Sequence, residues 1–145
     1  MAFRAFHTNG QPVYHTNVLM HISQYVSAIC LEMIHHEDRK RILDTLQSTH
    51  HHPIILSEEQ VHAFAGNMLT VHDRHGKPYL IGSRKGFSTL TDEQLSKIDI
   101  HHIPLDIPTI EMIGGGSARC MIAEIFLPKR LSTKNSAFRV LESLP

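Results

Sequence analysis

Asn17-Val18-Leu19-Met20 and, fifty residues further on, Asn67-Met68-Leu69-Thr70 are two openings of one pattern. Each starts on an asparagine and runs into apolar residues. After the first, residues 18–21 and 25–31 read as strands about a Ser23-Gln24 turn. Residues 36–47 then read as a helix, with Ile42, Leu43 and Leu46 on one face and charges on the other, and 53–56 as a short strand. After the second opening, 68–71 and 78–81 read as strands joined by Asp73-Arg74-His75-Gly76, 91–98 as a helix and 100–104 as a strand. Ser57 with Gln60, and Thr91 with Gln94, have the spacing of capping boxes. The helix begun at Ser57 gives out near Gly66-Asn67.

A matched element order at a fixed offset marks a modular array. Two unrelated ββαβ stretches would give the same pattern by coincidence. A third opening favours a true repeat: Gly114-Gly115-Gly116-Ser117-Ala118-Arg119-Cys120-Met121 leads into an expected strand over 122–127. The fold class is therefore α/β, with residues 1–145 as a single domain and 129–145 as a polar tail.

Composition narrows the function. The 145 residues are 41% apolar with no Trp, so the core rests on aliphatic side chains. Fourteen basic and fourteen acidic residues cancel. A neutral surface argues against nucleic acid, whose phosphates demand positive charge, and against an anionic membrane. No apolar run approaches the ~20 residues of a membrane span, and Met1-Ala2-Phe3-Arg4 lacks the apolar stretch of a secretory leader. Cys30 and Cys120 make no disulfide framework, so a cytoplasmic chain with free thiols is expected.

Thirteen histidines stand out, many of them in His35-His36, His50-His51-His52, His72 with His75, and His101-His102. None has the spacing of a zinc motif. Solvated surface histidines are expected, with no metal and no cofactor.

The chemistry concentrates at Cys120. Three glycines before it permit a tight turn and close backbone approach, and Arg119 adjoins it. A nearby cation favours the thiolate, the form that acts as nucleophile. A buried core thiol is the other common fate of a free cysteine. Cys30, within Val26-Ser27-Ala28-Ile29-Cys30-Leu31, fits that fate better. His15 stands in the polar knot His15-Thr16-Asn17 at the mouth of the first strand. In a propeller-like array equivalent module ends converge, which would bring His15 and Cys120 together.

Three stretches carry a resemblance. They are Pro12-Val13-Tyr14-His15-Thr16-Asn17-Val18-Leu19-Met20, Phe64-Ala65-Gly66-Asn67-Met68-Leu69, and Ile107-Pro108-Thr109-Ile110-Glu111 continuing through Gly114 to Glu124. In this order they resemble the signatures of the amidinotransferase and arginine deiminase-related family, which includes citrulline-utilisation hydrolases. The similarity runs from about Phe6 to Leu127.

The resemblance implies a pentein fold, an α/β propeller of five ββαβ modules, of which this chain would supply the C-terminal portion, about two and a half modules. It implies that Cys120 attacks the planar carbon of a guanidino or ureido group and that His15 is the acid/base partner. Asn17, Asn67, Gly115 and Arg119 would bind the substrate, a small molecule. Arginine deiminases have an aspartate where Asn17 stands. A neutral amide suits a neutral ureido group such as that of citrulline, although Asn also commonly caps turns. The acidic residues of the family's N-terminal half are missing, and Glu111 is expected to cap or pair at the surface. Self-association or a complementing N-terminal half is therefore expected. A non-catalytic fragment, or one subunit of a split enzyme, is the alternative; a histidine-rich metal-binding protein is a third, minor reading.

Overall fold

Two small sheets of the same topology carry the fold. The computed structural model describes residues 2–125. In the first sheet β1 (Met20–Ile22) pairs antiparallel with β2 (Ser27–Ile29), and β3 (Ile54–Ile55) joins β2 in parallel. In the second, β4 (Leu69–His72) pairs antiparallel with β5 (Pro78–Ser83), and β6 (His101–Leu105) joins β5 in parallel. A parallel neighbour cannot be reached by a hairpin, so each sheet needs a crossover. The first uses α2 (His36–Ser48), and the second uses α4 (Arg84–Ser88) and α5 (Asp92–Ser96). The single turn α1 (Thr16–Leu19) precedes β1, and α3 (Glu58–His62) links the sheets. After β6 come α6 (Pro108–Gly114) and a 3-10 turn, Ala118–Met121.

The ββαβ order expected from the sequence is thus present twice, without a closed propeller among the described residues. Four details differ. Residues 18 and 19 close a helical turn instead of starting a strand, because His15 caps it and the Met20 amide donates to Thr16 O. Two elements were not foreseen. In α4, Ser83 caps a turn that contains Gly86, a poor helix former. In α6, Pro108 sits in the first turn and Gly115 ends the helix at φ 66°, the usual proline-in, glycine-out asymmetry. Finally, no strand forms over residues 122–125. Residues 126 and 127 of that expected strand, and the polar tail 129–145, lie outside the described residues.

Both capping boxes form, and both reach across the chain. Gln60 and Gln94 each accept from their own N-cap amide. The Gln60 Nε2 also donates to Thr89 O and to Gln94 Oε1, each at 2.7 Å, and the Gln94 Nε2 donates to Ile55 O at 2.7 Å. Two local helix starts therefore also tie the first module to the second.

The core contains Leu19, Ile29, Cys30, Ile42, Met68 and Leu80, drawn from both modules. Gly66 lies where α1 crosses the approach to β4. A Cβ there would stand 2.5 Å from Val18 O and 3.0 Å from Leu19 C, which is backbone that cannot swing away. Gly66→Ala is expected to cost at least the ~1–3 kcal/mol of an overpacked core. A urea titration of the variant checks this, and an unchanged midpoint would contradict it.

Candidate active site

Asn67 is almost fully buried, at 2% exposure, immediately before β4. A buried primary amide must spend two donors and an acceptor. Its Nδ2 donates to Asn17 O at 2.8 Å and to Cys120 Sγ at 3.2 Å. Its Oδ1 accepts from the Cys120 amide at 3.4 Å, and its carbonyl accepts from the Arg119 amide at 3.4 Å. The Asn17 and Asn67 openings thus meet in space, and Cys120 is seated against Asn67. Asn67 was expected to bind substrate; here its side chain bonds to Asn17 and Cys120.

Cys120 is exposed, while Cys30 is buried. Burial pushes the Cys30 thiol up to about 11, with Glu32 and Glu58 adding to the shift. The Cys120 sulfur is held by the Asn67 amide, while Cys30 is closed off in the core.

The loop before Cys120 is held at several points. Gly115 adopts φ 66°, and its carbonyl accepts from Tyr14 Oη at 3.1 Å. A Cβ on Gly116 would lie 2.9 Å from Cys120 Cβ and 3.0 Å from its Sγ, so only glycine leaves the sulfur its place. Glu111, expected at the surface, is buried and accepts from the buried Ser117 Oγ at 2.7 Å. This bond closes the three-glycine loop from beneath.

His15 is exposed at the N-cap of α1, where its Nδ1 accepts from the Asn17 amide at 3.1 Å. An accepting Nδ1 places the proton of the neutral ring on Nε2. No hydrogen bond joins His15 directly to Cys120 among the described residues. The two are linked through Asn17 and Asn67: His15 Nδ1 to Asn17 N, Asn17 O to Asn67 Nδ2, and Asn67 Nδ2 to Cys120 Sγ.

A cleft of about 450 Å³ opens beside this relay, with Thr16, Asn17, His21, Thr70, Arg119 and Glu124 in its lining. Glu124 is the one carboxylate there among the described residues, and it pairs with Arg119 at 2.9 Å. The Arg119 charge is therefore shared with Glu124 and not reserved for the sulfur. Asn17 uses its backbone in the relay; its side-chain amide has no protein partner among the described residues. His21 in β1 is buried, and both ring nitrogens lack a partner among the described residues. Burial, helped by the Arg119 charge, lowers its pKa from 6.5 to about 4.

An exposed thiol, an exposed histidine and a buried amide are thus linked across paired ββαβ modules. A solved structure shares this fold: apo ArgZ, an arginine dihydrolase from the ornithine-ammonia cycle in cyanobacteria, at a TM-score of 0.59 and 17% identity. The match covers 88% of this chain and 19% of that one, so the chain spans about a fifth of its length. At the level of sequence, residues 1–127 match the family described as N,N dimethylarginine dimethylhydrolase, eukaryotic, and the chain belongs to that family. No curated protein matches the chain.

Two outcomes are expected at this site. Alkylation of Cys120 by an amidine-bearing reagent should slow about tenfold in Asn67→Ala, the worth of one hydrogen bond to a charged group, and should also slow in Gly116→Ala. Peptide mapping after timed labelling reads this, with Cys30 staying unmodified. The second outcome concerns acid. With the His21 pKa at about 4 in the fold and 6.5 when unfolded, its contribution is intact above pH 6.5 and is lost as the pH falls towards 4. The loss between pH 7 and pH 5 is about 2 kcal/mol. Urea midpoints at both pH values should show this acid loss shrinking by that amount in His21→Leu.

Proposed function

We propose that this chain carries the nucleophile and proton-transfer residues of a hydrolase that cleaves C–N bonds in guanidino or ureido compounds. The observation that carries this reading is the exposed Cys120, its sulfur held by the buried Asn67 amide, next in the chain to Arg119 of the cleft. Family membership supports the same substrate class.

In the proposed reaction the Cys120 thiolate adds to the planar carbon and an S–C bond forms. The C–N bond breaks, and the departing nitrogen takes a proton from His15, which enters this step as the imidazolium and leaves it as the neutral ring. Water then adds to the same carbon, gives a proton back to His15, and the S–C bond breaks to free the thiolate. Asn17 and Arg119 line the cleft and contact the substrate, with Asn67 and Gly115 completing the binding set. Neither a metal nor a cofactor takes part in these steps.

The dimethylarginine dimethylhydrolase family points to methylated arginine, and ArgZ, an arginine dihydrolase, to arginine. The cleft chemistry favours a neutral group such as the ureido of citrulline. Its single carboxylate is already paired with Arg119, and Asn17 offers a neutral amide. A cationic guanidinium would have to compete with Arg119 for Glu124.

The active assembly is larger than the described residues. Met112, Ile113 and Ile125 are 79%, 77% and 80% exposed, an apolar surface that favours association. It supports pairing with a complementing half or with a second copy. A non-catalytic subunit of a split enzyme is the second reading this surface favours.

The test is hydrolysis of N,N-dimethylarginine, arginine and citrulline by the chain, alone and with a complementing N-terminal half. Cys120→Ser should abolish any turnover, and His15→Ala should lower it at least a hundredfold, the scale of a general acid/base, about 10²–10⁴. Turnover that survives Cys120→Ser would refute the covalent route.

A further inference from the structure

Away from the cleft, three ligand atoms converge from separate parts of the chain. They are His7 Nδ1, Glu58 Oε1 and His62 Nε2. His7 comes from the N-terminal hairpin that turns at Gly10, where the His7 amide donates to Gln11 O and the Gly10 amide donates to His7 O. Glu58 begins α3 and His62 ends it, one helical turn away on the same face.

The separations are 3.3 Å for His7–Glu58, 3.4 Å for His7–His62 and 3.6 Å for His62–Glu58, all between the same three atoms. They form a nearly equilateral triangle. Hydrogen bonding does not explain it well. If both ring nitrogens donate to the carboxylate, the third edge sets two N–H groups against each other; if one nitrogen is bare, one edge has no proton to share. Three lone pairs aimed at one cation satisfy every edge. The size fits as well. A tetrahedral ion with bonds of about 2.05 Å has ligand edges of about 3.3 Å, whereas an octahedral ion at about 2.1 Å has edges of about 3.0 Å.

Glu58 gives a second, independent reason. It is only 5% exposed, yet among the described residues no Lys or Arg pairs with it; its ionic contacts are the two histidines. A buried carboxylate without a cation is costly. Both its oxygens are steadied by the Thr8 amide, at 3.0 and 3.2 Å, the kind of outer contact that orients a metal ligand.

We propose that His7, Glu58 and His62 form a divalent metal site of the zinc type, with a fourth position open to solvent beside the exposed His62. The bound ion clips the N-terminal hairpin to α3 and so steadies the segment that continues into Tyr14 and His15. The expectation of no metal rested on the clustered histidines; these ligands lie outside the clusters, with His7 and His62 55 residues apart.

The experiment is zinc binding to the full chain by competition with a chromogenic chelator, with metal content measured after dialysis. It is run in a Cys120→Ser background so that the thiol cannot act as a ligand. The expected result is one zinc per chain, a rise in melting temperature on adding zinc, and the visible bands of tetrahedral cobalt(II) on substitution. His62→Ala, an exposed change that leaves the fold intact, should weaken binding about a hundredfold or more and abolish the thermal shift. Glu58→Gln should do the same, while His75→Ala and His51→Ala should not. Equal affinity in the parent and His62→Ala, or no zinc retained by the parent, would overturn the site and place any affinity in the surface histidines.

Discussion

The Asn67 side chain is the contact on which the arrangement of this protein turns. A buried primary amide is tolerable only when its hydrogens and its oxygen all find partners. Here one hydrogen holds the carbonyl of Asn17, the other holds the Cys120 sulfur, and the oxygen faces the Cys120 amide. Three stretches of chain must be in register before any of these bonds is good. The amide therefore works as a gauge: it links the first module to the second and sets the thiol at their junction. Replacing it by an apolar residue would leave the Asn17 carbonyl and the Cys120 amide without these partners.

A second set of contacts fixes the entry of the chain. Arg4 donates its backbone N–H and its Nε to Asp38, which also accepts from Arg41. The bond from Arg41, followed by that from the Arg4 backbone, holds Asp38 at about 2, so it stays ionised throughout the neutral range. The Phe6 amide donates to Met33 O, and Ala5 bridges Ile34. The first residues are thereby laid along the start of α2, and the hairpin that follows is carried towards α3.

Much of the fold was legible in the sequence because it is local. The Ser57–Gln60 and Thr91–Gln94 spacings are decided within four residues, and both boxes form. The helix from His36 shows its apolar face in Ile42 and Leu46, both buried. What stayed hidden depends on tertiary contacts or on glycine. A turn containing Gly86 and a helix whose Met112 and Ile113 face outward carry no apolar stripe to reveal them. Apolar residues after Cys120 resembled a strand, yet residues 122–125 have no ladder to join. At the site, the contrast between Cys120 and Cys30 could be read from their neighbours. The roles of Asn67 and Glu111 could not, since Asn reads as a turn former and Glu as surface, while both are buried. Glu58 and His62 stand at i,i+4, but the approach of His7 to them leaves no trace in local spacing.

The hydrogen bond from Tyr14 to Gly115 spans 101 residues, and that from Asn67 to Cys120 spans 53. Each hairpin, by contrast, closes within a short stretch of chain. Loop-closure entropy rises with the length of chain enclosed, and contacts of high sequence separation slow folding. Each antiparallel pair can therefore form on its own, while the setting of Cys120 gains stability only after both modules have docked. Ordering of the thiol belongs to the end of folding, and a chain can display nearly all of its secondary structure while Cys120 is still unplaced.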